Sequence, residues 1–128
     1  MTIHVLPVRA DTGTNIHLKL VGSCGKRIVA TASVHIVTTD SHVYAYLHDV
    51  LVKEEYRGRG YGRQLMMGVL VALQEYADDT CKSIKLQFTS SPTRVAANSL
   101  YQSLGFELVA TATSGGTNLY QRIIESAM

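Results

Sequence analysis

The sequence predicts a single mixed α/β domain: an antiparallel meander, then two helices packed on the sheet. Three observations carry this. Apolar residues recur with period two through the first fifty positions, the period becomes helical at a glycine cluster, and strand and helix periods then alternate to the end. A chain of 128 residues suits one domain and leaves no length for a second.

Residues 2–8 are short and apolar-rich, and Pro7 marks a sheet edge or the end of an element. In residues 16–21, Ile16, Leu18 and Leu20 alternate with His17, Lys19 and Val21. Ser23-Cys24-Gly25-Lys26 reads as a turn. Residues 27–37 then put Ile28, Ala30, Ala32, Val34 and Ile36 on one side of a long strand. After the turn Thr39-Asp40-Ser41, residues 43–53 form a third long strand. Connections this short join antiparallel neighbours. From Gly60 onward, Leu65, Met66, Val69, Leu70, Leu73, Tyr76 and Ala77 share one helical stripe, which Asp78-Asp79-Thr80 ends. Ile84, Leu86 and Phe88 return to strand spacing. A second helix is expected to start with Ser91 as cap and Pro92 at its first position. It carries Val95, Ala97, Leu100, Tyr101 and Leu104, and Gly105 stops it. Residues 107–111 and 118–124 are closing strands around the loop Ser114-Gly115-Gly116.

Composition narrows the function classes. With 46% hydrophobic and 17% charged residues, the chain has the material for a core and not the balance of a disordered segment. Its net charge of +2, from 12 basic and 10 acidic side chains, lacks the basic excess of a nucleic-acid binder. Cys24 and Cys81 make no disulfide framework and no CxxC pair. No apolar run approaches the roughly 18 residues that span a bilayer. The start, Met1-Thr2-Ile3-His4, lacks a basic segment followed by an apolar stretch. The expectation is a cytoplasmic protein with neither nucleic acid nor membrane as partner.

The stretch Val50-Leu51-Val52-Lys53-Glu54-Glu55-Tyr56-Arg57-Gly58-Arg59-Gly60-Tyr61-Gly62-Arg63 carries the chemistry. Three glycines at alternate positions, interleaved with Arg57, Arg59 and Arg63, stand between a strand and a helix. Glycine admits close backbone approach. The helix start presents unpaired N–H groups and a positive dipole end, and arginine adds charge-assisted hydrogen bonds. Together they describe a phosphate cradle; on glycines alone, a tight turn is the competing reading. A nucleotide-hydrolase loop would end Gly-Lys-Ser/Thr, whereas Gly62 is followed by Arg63-Gln64. A dinucleotide fingerprint would place its third glycine one residue later.

Arg57-x-x-Gly60-x-Gly62 after an apolar strand resembles the acyl-CoA signature of the GCN5-related N-acetyltransferase (GNAT) family. A second segment, Arg94-Val95-Ala96-Ala97-Asn98-Ser99-Leu100-Tyr101-Gln102-Ser103-Leu104-Gly105-Phe106, resembles that family's Ala-Asn-x-x-Tyr-x-x-x-Gly-Phe pattern. The resemblance covers about residues 18–122. It implies an acyl-CoA N-acyltransferase fold whose sheet splays between its fourth and fifth strands, residues 43–53 and 84–88, with acetyl-CoA in the gap. By the same resemblance, backbone groups of Val50, Leu51 and Val52 pair with the pantetheine arm. The amides of Arg57, Gly58, Arg59, Gly60, Tyr61 and Gly62, with Arg63, hold the pyrophosphate. Asn98 contacts pantetheine, and Tyr101 is the candidate general acid for the departing thiolate; without the motif, Tyr101 reads as a core aromatic.

The implied reaction is attack of a free primary amine on the thioester in a ternary complex, so a base or a water chain is expected. Relatives commonly show Glu-Asp before the cradle; this chain has Leu47-His48-Asp49-Val50. Histidine titrates near neutrality and can act directly. Period two puts His48 and Asp49 on opposite faces, so one of them at most faces the acceptor. His48, Asp49 and a surface role for both stay open. His35, His42 and His48 lie on two strands without Hx₃H spacing, and the implied chemistry needs no metal, so none is expected.

Relatives usually carry two helices between their first two strands. Here Ala10-Asp11-Thr12-Gly13-Thr14-Asn15 is too short for one. The acceptor groove is then open, or a second copy of the chain covers it, and a homodimer is expected. Asp49-Val50-Leu51-Val52 with Tyr56-Arg57-Gly58 looks locally like the small glucosamine 6-phosphate N-acetyltransferases. Amino sugars, polyamines, amino acids and peptide amines stay open as acceptors. Two other readings stand beside the enzyme: a non-catalytic acyl-CoA sensor or subunit of the same fold, and a protein lysine acetyltransferase.

Overall fold

The computed structural model describes residues 1–12, 15–112 and 116–127, the side chains of 7–12 excepted. Gly13 and Thr14 of the first turn, and Ser114 and Gly115 of the last loop, lie outside the described residues. Seven strands, β1 (Thr2–Thr12), β2 (Asn15–Cys24), β3 (Arg27–Thr38), β4 (Val43–Val52), β5 (Ile84–Ser90), β6 (Glu107–Thr111) and β7 (Asn118–Ile124), form one sheet. Two helices, α1 (Tyr61–Thr80) and α2 (Val95–Ser103), complete the domain. The sheet order is β1-β2-β3-β4-β5-β7-β6, so the Pro7 strand is an edge, as expected. β1 to β4 are the antiparallel meander. Thr12 pairs with Asn15, so β1 runs into β2 without an intervening helix.

The one parallel pair is β4 with β5, joined by α1 as a crossover. Their pairing runs only from Val43↔Ile84 to Tyr46↔Gln87. Beyond Tyr46 the two strands part, and that side of β4 loses its partner. This is the splay the resemblance implied.

Helix α1 buries Leu65, Met66, Val69, Leu73 and Ala77 against Leu20, Val29, Ala32, Val34, Ala45 and Ile84 of the sheet. Burying a leucine such as Leu73 completely stabilises the fold by about 1.5–3 kcal/mol. At the end of α1, Cys81 takes a left-handed conformation (φ 57°), and the Lys82 amide donates to the Ala77 carbonyl at 3.1 Å. Gly105 (φ 85°) ends α2 likewise, and the Phe106 amide donates to the Tyr101 carbonyl. None of the described helices is long and apolar enough to cross a membrane.

Three local expectations are corrected. Ile28, assigned to the core face, is exposed, while Val29 is fully buried. Gly22 pairs with Ala30 but Ser23 with Ile28, so Val29 is an extra residue that turns the start of β3 over. Helix α2 starts at Val95, not at Pro92. Residues 91–94 form a turn instead, in which the Arg94 amide donates to the Ser91 carbonyl and the Ser91 hydroxyl meets that of Thr93. Strict alternation also fails in β4. Ser33 faces His48 but Thr31 faces Leu51, leaving one surplus residue on β4, and Asp49 takes a positive φ of 53°. Aspartate tolerates that left-handed geometry better than most residues.

Candidate acetyl-CoA site

Where β4 and β5 part, a cavity of about 730 Å³ opens. Val50, Leu51 and Val52 form one wall. The turn and helix start at Tyr56, Arg57, Gly58, Gly60, Tyr61 and Gly62 form the mouth, and Met66 lies deeper on α1. Arg94, Val95, Ala96, Ala97, Leu100 and Tyr101 of α2 and the turn before it close the other side. The two sequence segments singled out for their motifs thus face each other across one space.

The mouth presents free backbone donors at a helix start. Gly60 caps α1 with φ 79°, a conformation that would strain a side chain, and no side chain caps the helix. The first intrahelical bond runs from the Gln64 amide to the Gly60 carbonyl, so among the described residues the amides of Tyr61, Gly62 and Arg63 have no acceptor. The first turn contains no acidic residue to compete. At Gly62 a methyl group would meet only Val52 and Leu100, at 3.8 and 3.9 Å, so the protein itself has room for a side chain there.

Arg57 lines the mouth, and its Nε donates to the Val52 carbonyl at 3.0 Å. Arg59 and Arg63 do not line the cavity: Arg59 lies over the Tyr56 ring at 5.4 Å, and Arg63 donates to the Ser103 hydroxyl, tying α1 to α2. Tyr61 lines it with its hydroxyl 3.5 Å from the Cys24 thiol, a contact that raises the phenol's pKa.

Tyr101 is buried in an aromatic cluster, edge-on to Phe88 at 4.6 Å and to Tyr120 at 5.4 Å. It is also part of the cavity wall, and its hydroxyl makes no hydrogen bond among the described residues. Tyr101 is thus a core aromatic that also lines the cavity. Asn98, expected on the same cavity, does not line it. Its Nδ2 donates to the Ser91 and Pro92 carbonyls at 3.1 and 3.4 Å, while Oδ1 is buried without a partner among the described residues. The side chain holds the turn that replaced the expected helix start.

A family model described as an acetyltransferase (GNAT) domain matches residues 17–108, well over half of the chain. The chain belongs to the GNAT acetyltransferase family. Similar folds agree with this assignment. The ribosomal-protein-S18-alanine N-acetyltransferase from Escherichia coli superposes with a TM-score of 0.71 at 17% identity, covering 99% of this chain and 97% of its own. Arabidopsis thaliana Naa50, in complex with the bisubstrate analogue CoA-Ac-MVNAL, gives 0.68 at 14% identity over 81% and 71%. The PaiA N-acetyltransferase from Thermoplasma acidophilum, in complex with coenzyme A, gives 0.64 at 13% over 83% and 60%. A comparison with curated protein sequences gives no match.

On this GNAT sheet, β4 turns Leu47 into the core and His48 to the opposite, helix-free face. His48 and Asp49 were assigned to opposite faces, but the extra residue in β4 brings them together. His48 Nδ1 lies 3.1 Å from Asp49 Oδ2, the Asp49 side chain being 85% exposed. The histidines that come together are not the set His35, His42 and His48 weighed above for a metal. His42 stands in the β3–β4 turn against the Ser41 hydroxyl. His17 takes its place, its ring stacked on His35 at 4.8 Å and 5.7 Å from His48. Burial, then the neighbouring His35, His48 and Lys19, lower the His17 pKa below its ordinary 6.5. Sequence reasoning missed His17, which only strand register brings to this cluster. It also missed Tyr56 and Arg94, although both sit beside the motifs that were read.

Proposed function

We propose that the domain transfers the acetyl group of acetyl-CoA to a primary amine by direct attack in a ternary complex. The observation that carries this is the unpaired helix start of α1 facing Tyr101 across the gap in the sheet. The amides of residues 61–63, with Arg57 and the backbone at Gly58 and Gly60, hold the pyrophosphate. Arg59 and Arg63, engaged elsewhere, add charge at the rim. The pantetheine arm takes the hydrogen bonds that β4 no longer gives to β5 around Val50, Leu51 and Val52. Asn98 then acts as a positioning residue, through the turn before α2.

The amine nitrogen attacks the thioester carbonyl carbon, a C–N bond forms, and collapse of the tetrahedral intermediate breaks the C–S bond. The sulfur leaves with the electron pair and takes a proton from the Tyr101 hydroxyl, and the phenolate regains one from the attacking nitrogen, which loses its second proton as the amide forms. The proton lost by the ammonium goes to His48, directly or through water. With Nδ1–H donated to Asp49, the His48 Nε2 lone pair is free to accept it. Amine and coenzyme approach from opposite faces of the sheet. No helix between β1 and β2 walls the acceptor side, which suits a bulky acceptor such as a peptide amine. That the E. coli relative's name specifies a protein alanine supports such an acceptor.

We further infer a cytoplasmic homodimer. Val5 and Leu6 are about half exposed on the edge strand β1, whose outer edge is unpaired among the described residues. Elution as a monomer at micromolar concentration with acetyl-CoA bound would contradict this.

Release of free thiol from acetyl-CoA, measured with a panel of amino sugars, polyamines, amino acids and peptides, tests the function. Turnover with any of them is expected. Coenzyme binding without turnover for every amine would favour the non-catalytic sensor.

A further inference from the structure

We propose that His17, His35 and His48 form a binding site for a divalent transition metal, with zinc the best fit. The three residues stand on the adjacent strands β2, β3 and β4. His17 and His35 are direct cross-strand partners, and His48 faces Ser33, which puts it on the next diagonal. One ring nitrogen from each lies within 4.8 Å of the other two, the only such trio of metal-ligating side chains among the described residues. Tetrahedral zinc with Zn–N bonds of about 2.0–2.1 Å holds its nitrogens roughly 3.3 Å apart. Rings with centroids 4.8, 5.7 and 6.1 Å apart reach that spacing by side-chain rotation on an unchanged sheet.

Two further observations point to a ligand. His17 Nε2 is buried and has no hydrogen-bond partner among the described residues. A buried polar atom left this way is costly, and coordination would satisfy it. Asp49 Oδ2, at 3.1 Å from His48 Nδ1, is the carboxylate that metal-bound imidazoles characteristically engage through their second nitrogen. It fixes the tautomer that leaves Nε2 as the donor atom. Three neutral nitrogen donors without a thiolate favour zinc, copper, nickel or iron over calcium or magnesium. Three protein ligands leave a fourth position for water on a solvent-facing surface.

This site shares His48 with the proposed acetyl transfer: zinc held there occupies the Nε2 lone pair and should slow turnover, so the test reads the metal itself. Untagged protein is stripped with a chelator and titrated calorimetrically with zinc chloride, and separately with cobalt chloride while visible absorption is recorded. One zinc per chain and tetrahedral cobalt bands are expected. His35→Ala should weaken zinc binding by about 100-fold or more, and Asp49→Asn by about 10–100-fold. His42→Ala, in the β3–β4 turn, should leave it unchanged. His35→Phe, which keeps a ring on the sheet face, serves if the alanine variant does not fold. Absence of stoichiometric zinc binding, or binding retained in the folded His35 variant, would overturn the proposal.

Discussion

Replacing Tyr101 by phenylalanine separates the chemistry of this site from its packing. The Tyr101 ring is 4% exposed and packs on Phe88, Tyr120 and Phe106, contacts that phenylalanine keeps. Among the described residues the hydroxyl has no hydrogen-bond partner to lose, so stability should change by less than about 0.5 kcal/mol. Tyr101→Ala would instead remove a buried ring from the aromatic cluster at a cost of about 3–5 kcal/mol, and its lost activity would say nothing about acid catalysis. General acid–base groups contribute about 10²–10⁴ in rate. A thiolate with a pKa of about 8.5 leaves readily, which points to the lower end, about 10²-fold in kcat, or close to 3 kcal/mol of barrier. The assay is thiol release under saturating acetyl-CoA and amine, with thermal unfolding measured on the same samples. Acetyl-CoA affinity should stay within about twofold, because the hydroxyl is assigned to the leaving sulfur alone. A Tyr101→Phe enzyme with full kcat and unchanged Tm would refute the general-acid assignment.

Three other outcomes are expected. Arg57→Ala removes a charged hydrogen bond at the cavity mouth and should weaken coenzyme A binding by about 10-fold or more in a calorimetric titration, with little change in Tm because the residue is exposed. Gly62→Ala should raise Tm by about 2–4 °C, since its methyl meets Val52 and Leu100 at ordinary contact distance and helix propensity improves by up to about 1 kcal/mol. A fall in Tm would show that the helix start is not as open as described. Burial and its neighbours hold His17 below its ordinary pKa of 6.5, so the unfolded chain binds the extra proton first as pH drops. Stability of the metal-stripped protein is then full above about pH 6.5 and falls below it; a Tm that rises toward about pH 5.5 would contradict that sign.

The order of strands and helices was legible because each element carries its own period, and β6 and β7 lie where their apolar spacing put them. The glycine turn that starts α1 was legible too, since its residues are contiguous and glycine at position 60 has a backbone reason. What stayed hidden depends on register. The surplus residues at Val29 and in β4 beside Asp49 reverse the sidedness of neighbouring residues, and nothing in alternation alone signals an inserted residue. His17 and His35 are eighteen positions apart and meet only because β2 pairs with β3 in one register out of several. Ser91 and Pro92 carry ordinary helix-start chemistry, but the Asn98 amide takes their carbonyls and holds a turn there instead. Competition of this kind between side chain and backbone is tertiary information that local propensity does not contain.

The most direct measurement follows the backbone amide resonances of residues 58–63 by NMR while coenzyme A is added to labelled protein. Saturable shifts concentrated at Gly60, Tyr61, Gly62 and Arg63, and lessened when the 3′,5′-diphosphate of the nucleotide is supplied without the pyrophosphate-linked pantetheine arm, are the predicted result. Saturable binding that leaves those four amides unmoved would contradict the cradle.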